Sequence, residues 1–117
     1  MRFPKRGEIW LVSLDPIIGS EIGKARPALV ISNDRGNEFS ETVTVLPITS
    51  QTDKVYPFEA LIPPGLGNLL KPSKVKSNQI RTVDKKRLVK FIGTLEEKIM
   101  EDVDRSLLIH LGIHLKK

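Results

Sequence analysis

The sequence predicts a mainly β fold: a small antiparallel sheet, curled or closed into a barrel, with a single C-terminal helix. Three observations point there. Short runs of strand-forming residues alternate with Pro- and Gly-bearing turns along most of the chain. A clear four-residue periodicity appears only near the end. The chain has 117 residues, enough for one domain spanning 1–117 and one core.

The first predicted strand is 8–14, EIWLVSL, stopped by Asp15-Pro16 because proline fixes φ and lacks a donor. Residues 17–25 hold Gly19 and Gly23 and read as a loop. A second strand is expected at 28–33, ALVISN, and a turn at Asp34–Asn37. Residues 42–49, TVTVLPIT, alternate as a third strand, with Pro47 marking a sheet edge or a bulge. A fourth strand is expected at 56–62, a Pro/Gly-rich loop at 63–73 and a fifth strand at 74–82. Asp84 is a good N-cap for a short helical turn over 84–90. Thr94–Glu97 has the spacing of a capping box, and Leu95, Ile99, Val103, Leu107 and Leu111 then line one face of a helix of about five turns.

Composition excludes several chemistries. There is no cysteine, so disulfides, thiolate nucleophiles and Cys-based zinc sites are ruled out. No apolar run fits a signal peptide or reaches the roughly 18 residues of a membrane span. The expectation is a cytoplasmic protein without a membrane segment. Formal charge is +5, and it is concentrated: residues 71–90 carry eight cations against Asp84 alone, a net of +7. Such a strip fits a polyanion partner, or a lysine-rich solvated surface.

His110 and His114 are one helical turn apart, which suits two metal ligands, but a third ligand is not apparent. The carboxylates are too scattered for a two-metal site, and neither GxxxxGK[ST] nor GxSxG occurs. No metal or cofactor is expected.

A polar set without histidine remains. Asp15 to Pro27 is one loop holding Gly19-Ser20-Glu21, Lys24 and Arg26. Thr49-Ser50-Gln51 end the third strand, and Asn78-Gln79 and Arg81-Thr82 end the fifth. If strands one, two, three and five are neighbours, these groups meet at one edge. The set suits RNA cleavage, where the 2′-hydroxyl is the nucleophile and the protein orients it and neutralises the phosphorane. Arg26 fits transition-state stabilisation and is a poor base. Taken alone, an Arg-Pro at a strand start is as a rule a surface residue.

The run KRGEIWLVSLDP-x-x-GSE-x-G-x-x-RPALVIS, followed by PITSQ and NQIRTVDKKRL, resembles the MazF/PemK toxins of toxin–antitoxin systems. The likeness covers nearly the whole chain. It implies an SH3-like barrel with a C-terminal helix, and a homodimer. It implies a metal- and ribosome-independent endoribonuclease that cuts single-stranded RNA at short sequences, leaving 2′,3′-cyclic phosphate and 5′-hydroxyl ends. The family's catalytic pair falls on Arg26 and Thr49. The family's GSE loop, associated with gating and base contacts, falls on Gly19, Ser20 and Glu21, and its QIRT segment, near the RNA groove, on Gln79 to Thr82; Ile22, Lys24, Ser50, Gln51, Asn78, Gln79, Arg81, Lys85 and Arg87 are the further candidate RNA contacts. Many relatives carry Gln where this chain has Ile22, and a small residue where it has Lys24. The implied partner is a MazE-like antitoxin with an acidic disordered tail. Two other readings stay open: a CcdB-like gyrase poison on the same barrel, and a non-catalytic SH3-like RNA-binding module.

Overall fold

The computed structural model describes residues 3–115. In chain order the elements are β1 (Glu8–Ser13), β2 (Ala25–Val30), α1 (Asp34–Phe39), β3 (Thr42–Thr49), β4 (Glu59–Ile62), β5 (Ser73–Lys76), β6 (Arg81–Asp84), β7 (Leu88–Thr94) and α2 (Glu97–Leu111). The strands pair antiparallel in the order β4–β5–β3–β2–β1–β7, and β6 also pairs with β3. From β6 the chain runs through a 3-10 turn at Lys85–Arg87 straight into β7. One stretch of chain therefore pairs first with β3 and then with β1, which curls the sheet into the expected barrel with its C-terminal helix.

Strand alternation gives the sheet two apolar faces. Ile9, Leu29, Leu46, Ile48, Ala60 and Val75 lie on one and pack with Leu95, Ile99, Met100 and Val103 of the α2 segment. Val12, Ala28, Val30, Val43, Val45 and Val83 lie on the other and form a second cluster. The helix is pinned as well as packed. Arg6 donates to the Ile31 carbonyl at 2.5 Å and pairs with Asp104. Ser77 and Ser106 share a buried hydroxyl contact at 2.7 Å.

Several expectations need correction. The turn at 34–37 is the start of α1, capped by the Asn33 side chain, which accepts from the Gly36 amide at 2.8 Å. The fourth strand starts only at Glu59, because its amide closes a turn onto the Tyr56 carbonyl. The fifth strand is two, β5 and β6, separated by a 3-10 turn at Ser77–Gln79. Both pair with β3, at Ile48–Thr49 and at Thr42–Val45. Pro47 lies opposite the break, where no ladder donor is needed on that side, so it marks a gap in the ladder; its pairing with Ala28 of β2 stays in regular register.

Asp84 does cap a helical turn, accepting from Lys86, but that turn ends at Arg87. Residues 88–94 are β7, whose exposure on one side hid its pairing with β1. Thr94 ends that strand, so the capping box does not form. Helix α2 begins at Glu97 and runs 15 residues, nearer four turns than five. Its stripe is buried through Val103, half-buried at Leu107 and exposed at Leu111.

Candidate active site

The second strand begins three residues earlier than expected, which changes the setting of Arg26. It belongs to β2, opposite Val12 of β1, rather than to the loop. It shares a sheet face with Ala28 and Val30. By the same alternation Thr49 shares that face with Val43 and Val45, and Lys74 and Lys76 flank the oppositely directed Val75. All four therefore lie on the face opposite α2, at the end where the apolar cluster stops.

There Ile22, Arg26, Thr49, Gln51, Lys74 and Lys76 line an open cleft of about 180 Å³. Arg26 is half-buried, and its Nε donates to the Gly23 carbonyl at 3.0 Å. The Thr49 hydroxyl accepts from the Gln51 amide at 3.2 Å, which leaves its proton available to a ligand. The cleft thus offers a planar cationic fork, a hydroxyl and two ammonium groups, a donor set for an oxyanion.

A second, larger groove of about 600 Å³ adjoins it, lined by residues that include Ile17, Glu21, Ile22, Asn78, Gln79 and Arg81. Ile22 borders both spaces, and its amide donates to the Gln79 side chain at 3.3 Å. The Asn78 side-chain oxygen is buried and has no hydrogen-bond partner among the described residues.

The loop between β1 and β2 is shaped by its own contacts. The Asp15 carboxylate accepts from the Lys24 amide at 2.8 Å, and the Lys24 carbonyl accepts from the Leu14 amide at 2.9 Å. Glu21 turns back to the Ile18 amide at 2.6 Å. Gly23 is required by closeness: a Cβ there would sit 2.5 Å from the Asp15 carboxylate and 3.0 Å from Ile17.

The structure thus brings Arg26, Thr49, Ile22 and Gln51 together, with Glu21, Asn78, Gln79 and Arg81 alongside. Ser20, Lys24 and Ser50 are exposed and border neither space. Lys85 and Arg87 also lie outside both. Arg81 donates to the Leu14 carbonyl at 2.5 Å, and Arg87 to those of Ser13 at 3.1 Å and Asp15 at 2.5 Å. Both arginines clamp the base of the loop, so the basic strip is not a uniform solvated surface.

Lys74 and Lys76 were missed as site residues. Lysine alternating with valine in a short strand was the available signal, since residues two apart share a face. His110 lies on α2 with its ring 6.4 Å from Phe58. Among the described residues no three His, Asp or Glu side chains gather as a metal-binding group, and no helix is long and apolar enough to cross a membrane.

Residues 5–111 match the sequence profile of PemK-like, MazF-like toxins of type II toxin–antitoxin systems. The chain belongs to the PemK/MazF toxin family. It is 40% identical over 114 residues to the endoribonuclease MazF9 of Mycobacterium tuberculosis, covering 93% of this chain and 97% of that one. Among solved structures, MazF of Deinococcus radiodurans superposes with a TM-score of 0.84 at 27% identity, covering 97% of this chain and all of that one, 100%. A MazE–MazF complex from the same organism matches with a TM-score of 0.77 at 27% identity, with 97% and 100% covered. The PemK/MazF assignment accounts for the curled sheet with its C-terminal helix.

Proposed function

We propose that this chain, acting as a single domain, cuts single-stranded RNA at short sequences by promoting attack of the RNA's own 2′-hydroxyl on the adjacent phosphorus. That it is an endoribonuclease toxin of the MazF type follows from its family. The finer chemistry rests on one observation: Arg26 and Thr49, distant in sequence, line one cleft with two lysines.

In the proposed step the O2′–P bond forms and the P–O5′ bond breaks. The 2′-hydroxyl gives up its proton, and the departing 5′-oxygen takes one. The products carry a 2′,3′-cyclic phosphate and a 5′-hydroxyl. Arg26 holds the non-bridging oxygens and neutralises the charge that builds on the phosphorane. Thr49 donates its hydroxyl to the same group. No metal is required in this scheme, because the nucleophile comes with the substrate and the charge sink is cationic protein.

The larger groove is the place for sequence reading. The unpartnered Asn78 oxygen is an acceptor that a base amino group would satisfy, and Glu21, Gln79 and Ile22 border the same space.

The proposed partner is a MazE-like antitoxin whose acidic disordered tail competes with RNA for the cleft cations, as charge complementarity favours. The proposed assembly is a homodimer in the cytoplasm. The exposed apolar end of the chain, Ile109, Leu111, Ile113 and Leu115, supports a covered surface.

The test is incubation of the purified protein with defined RNA in EDTA, with mapping of fragment ends. Discrete cuts with cyclic-phosphate ends are expected. Loss of all cutting in EDTA overturns the metal-free scheme, and 5′-phosphate ends overturn the internal nucleophile.

A further inference from the structure

Two of the cleft's lining cations, Lys74 and Lys76, belong to a charged cluster centred on a carboxylate beneath it. Glu59 opens β4 and its side chain is only 1% exposed. Lys74 of β5 is nearly as enclosed, at 8%. Lys74 Nζ donates to Glu59 Oε1 at 2.9 Å and to the Lys54 carbonyl at 2.6 Å. Lys76 Nζ lies 3.7 Å from the other carboxylate oxygen and is 25% exposed. The Tyr56 amide completes the shell, donating to Oε1 at 3.0 Å.

Strand register explains how these groups meet. Thr49 is opposite Lys74, and Lys76 is opposite Glu59. The two lysines alternate around Val75, which points into the core. Thr49, Lys74, Lys76 and Glu59 therefore form a diagonal row across three strands, on the face that carries the cleft.

A buried ion pair is a poor way to stabilise a fold, because removing both charges from water offsets most of their attraction. An apolar pair would serve a purely structural role at least as well. What the carboxylate does provide is fixed placement of two cations at the cleft floor. The bonds are unequal. Lys74 is held tightly by three oxygen or ring contacts, counting the Tyr56 ring 5.8 Å away. Lys76 is held loosely by one long contact and reaches solvent.

We propose that Glu59 is a positioning residue for RNA cleavage. Its buried carboxylate fixes Lys74 as a permanent floor and poises Lys76 to engage the phosphate that Arg26 and Thr49 bind. This rests on the proposed RNA cleavage at that cleft. Lys76 moves onto the phosphate oxygens as charge builds there, and Glu59 keeps the ammonium from relaxing into solvent beforehand. Preorganised charge of this kind acts on the chemical step rather than on binding.

The experiment is single-turnover cleavage of a defined RNA by the wild type, Glu59→Gln, Lys76→Met and the double variant, with melting curves for each. Glu59→Gln should slow the cleavage step about tenfold, as expected for a misplaced group, with KM little changed. Lys76→Met should slow it about a hundredfold. The double variant should be no slower than Lys76→Met alone, since Glu59 acts through Lys76. Losses that multiply in the double variant, or a Glu59→Gln protein that cuts at the wild-type rate, overturn the inference. If Glu59→Gln does not fold, Glu59→Asp takes its place, because it keeps the charge and all cleft cations but draws the carboxylate back from Lys76 by one methylene; a slower cleavage step is again expected, and wild-type cutting overturns the inference. A wild type that leaves RNA intact instead refutes the cleavage reading, so the two failures are separable.

Discussion

Arg26 donates from Nε to the carbonyl oxygen of Gly23, 3.0 Å away, and this is the sole hydrogen bond of its side chain among the described residues. The bond fixes the plane of the guanidinium while both terminal nitrogens remain for a ligand. A phosphate-binding arginine needs that combination of rigid orientation and open donors.

Arg26→Ala and Thr49→Ala should each slow RNA cleavage by about a hundredfold or more, the usual effect of removing one transition-state donor. Neither side chain supports the core, so melting temperatures should stay within about 2 °C of wild type. Arg26→Lys should not restore activity, because an ammonium cannot reproduce the fork. Wild-type rates for either alanine variant would show that the pair is misassigned.

Gly23→Ala tests the loop. The added methyl group would collide with the Asp15 carboxylate at 2.5 Å and press on Ile17. Asp15 would have to release the Lys24 amide. A loss of about 1–3 kcal/mol is expected from such overpacking, together with slower cleavage because the Gly23 carbonyl orients Arg26. Unchanged melting and kinetics would mean that the loop adapts freely and does not orient the guanidinium.

Arg87→Ala should act through mobility more than through charge. It removes the donor to the Ser13 and Asp15 carbonyls. Amide hydrogen exchange should accelerate across residues 15–24, and KM should rise. Unaltered exchange in that segment would show that Arg87 is a simple RNA contact.

Acid should weaken the fold at Glu59. Burial pushes its carboxyl up, but the Tyr56 amide and the neighbouring Lys74 and Lys76 outweigh this and hold it below the ordinary 4.5. A carboxyl depressed on folding stabilises the native state fully above its unfolded value, and that contribution is lost as pH falls through the folded value. Melting temperature should therefore drop on acidification below about pH 4.5, and the drop should be shallower in Glu59→Gln/Lys74→Met. Parallel acid profiles for the two proteins would remove Glu59 as the cause.

Salt should weaken RNA binding through cations outside the cleft, the half-buried Lys85 and the exposed Lys86 and Lys90. Replacing Lys85, Lys86 and Lys90 by Gln should flatten the slope of log K against log salt by about two units, at roughly 0.7 per phosphate contact on single strands. An unchanged slope would show that this part of the strip does not touch RNA.

The sequence revealed what depends on periodicity. Residues in the first three strands alternate between the two faces of a sheet buried on both sides, and the stripe from Leu95 to Leu107 marks α2. It hid what depends on pairing partners. Leu88–Thr94 has mostly exposed side chains, so nothing but its ladder to β1 makes it a strand. Asp34–Phe39 contains Gly36 and lacks an apolar period, so it reads as a turn although Asn33 caps a helix. At the site, the resemblance to the family's motifs pointed to Arg26 and Thr49, and the structure brings both to one cleft. Glu59 was invisible because its meaning comes from register across β4 and β5, which no local pattern encodes.

Ile22 stands between the two clefts, its backbone amide tied to the Gln79 side chain and its own side chain packed on the edge of the second apolar cluster. That anatomy makes position 22 a wall shared by both spaces. A different side chain there would redraw the wall of the larger groove, while the guanidinium, the hydroxyl and the two ammonium groups are held by other contacts. On the proposed division of labour between the two spaces, such a toxin acquires a new target vocabulary by small changes along one surface loop, without rebuilding the cleft that holds the phosphate.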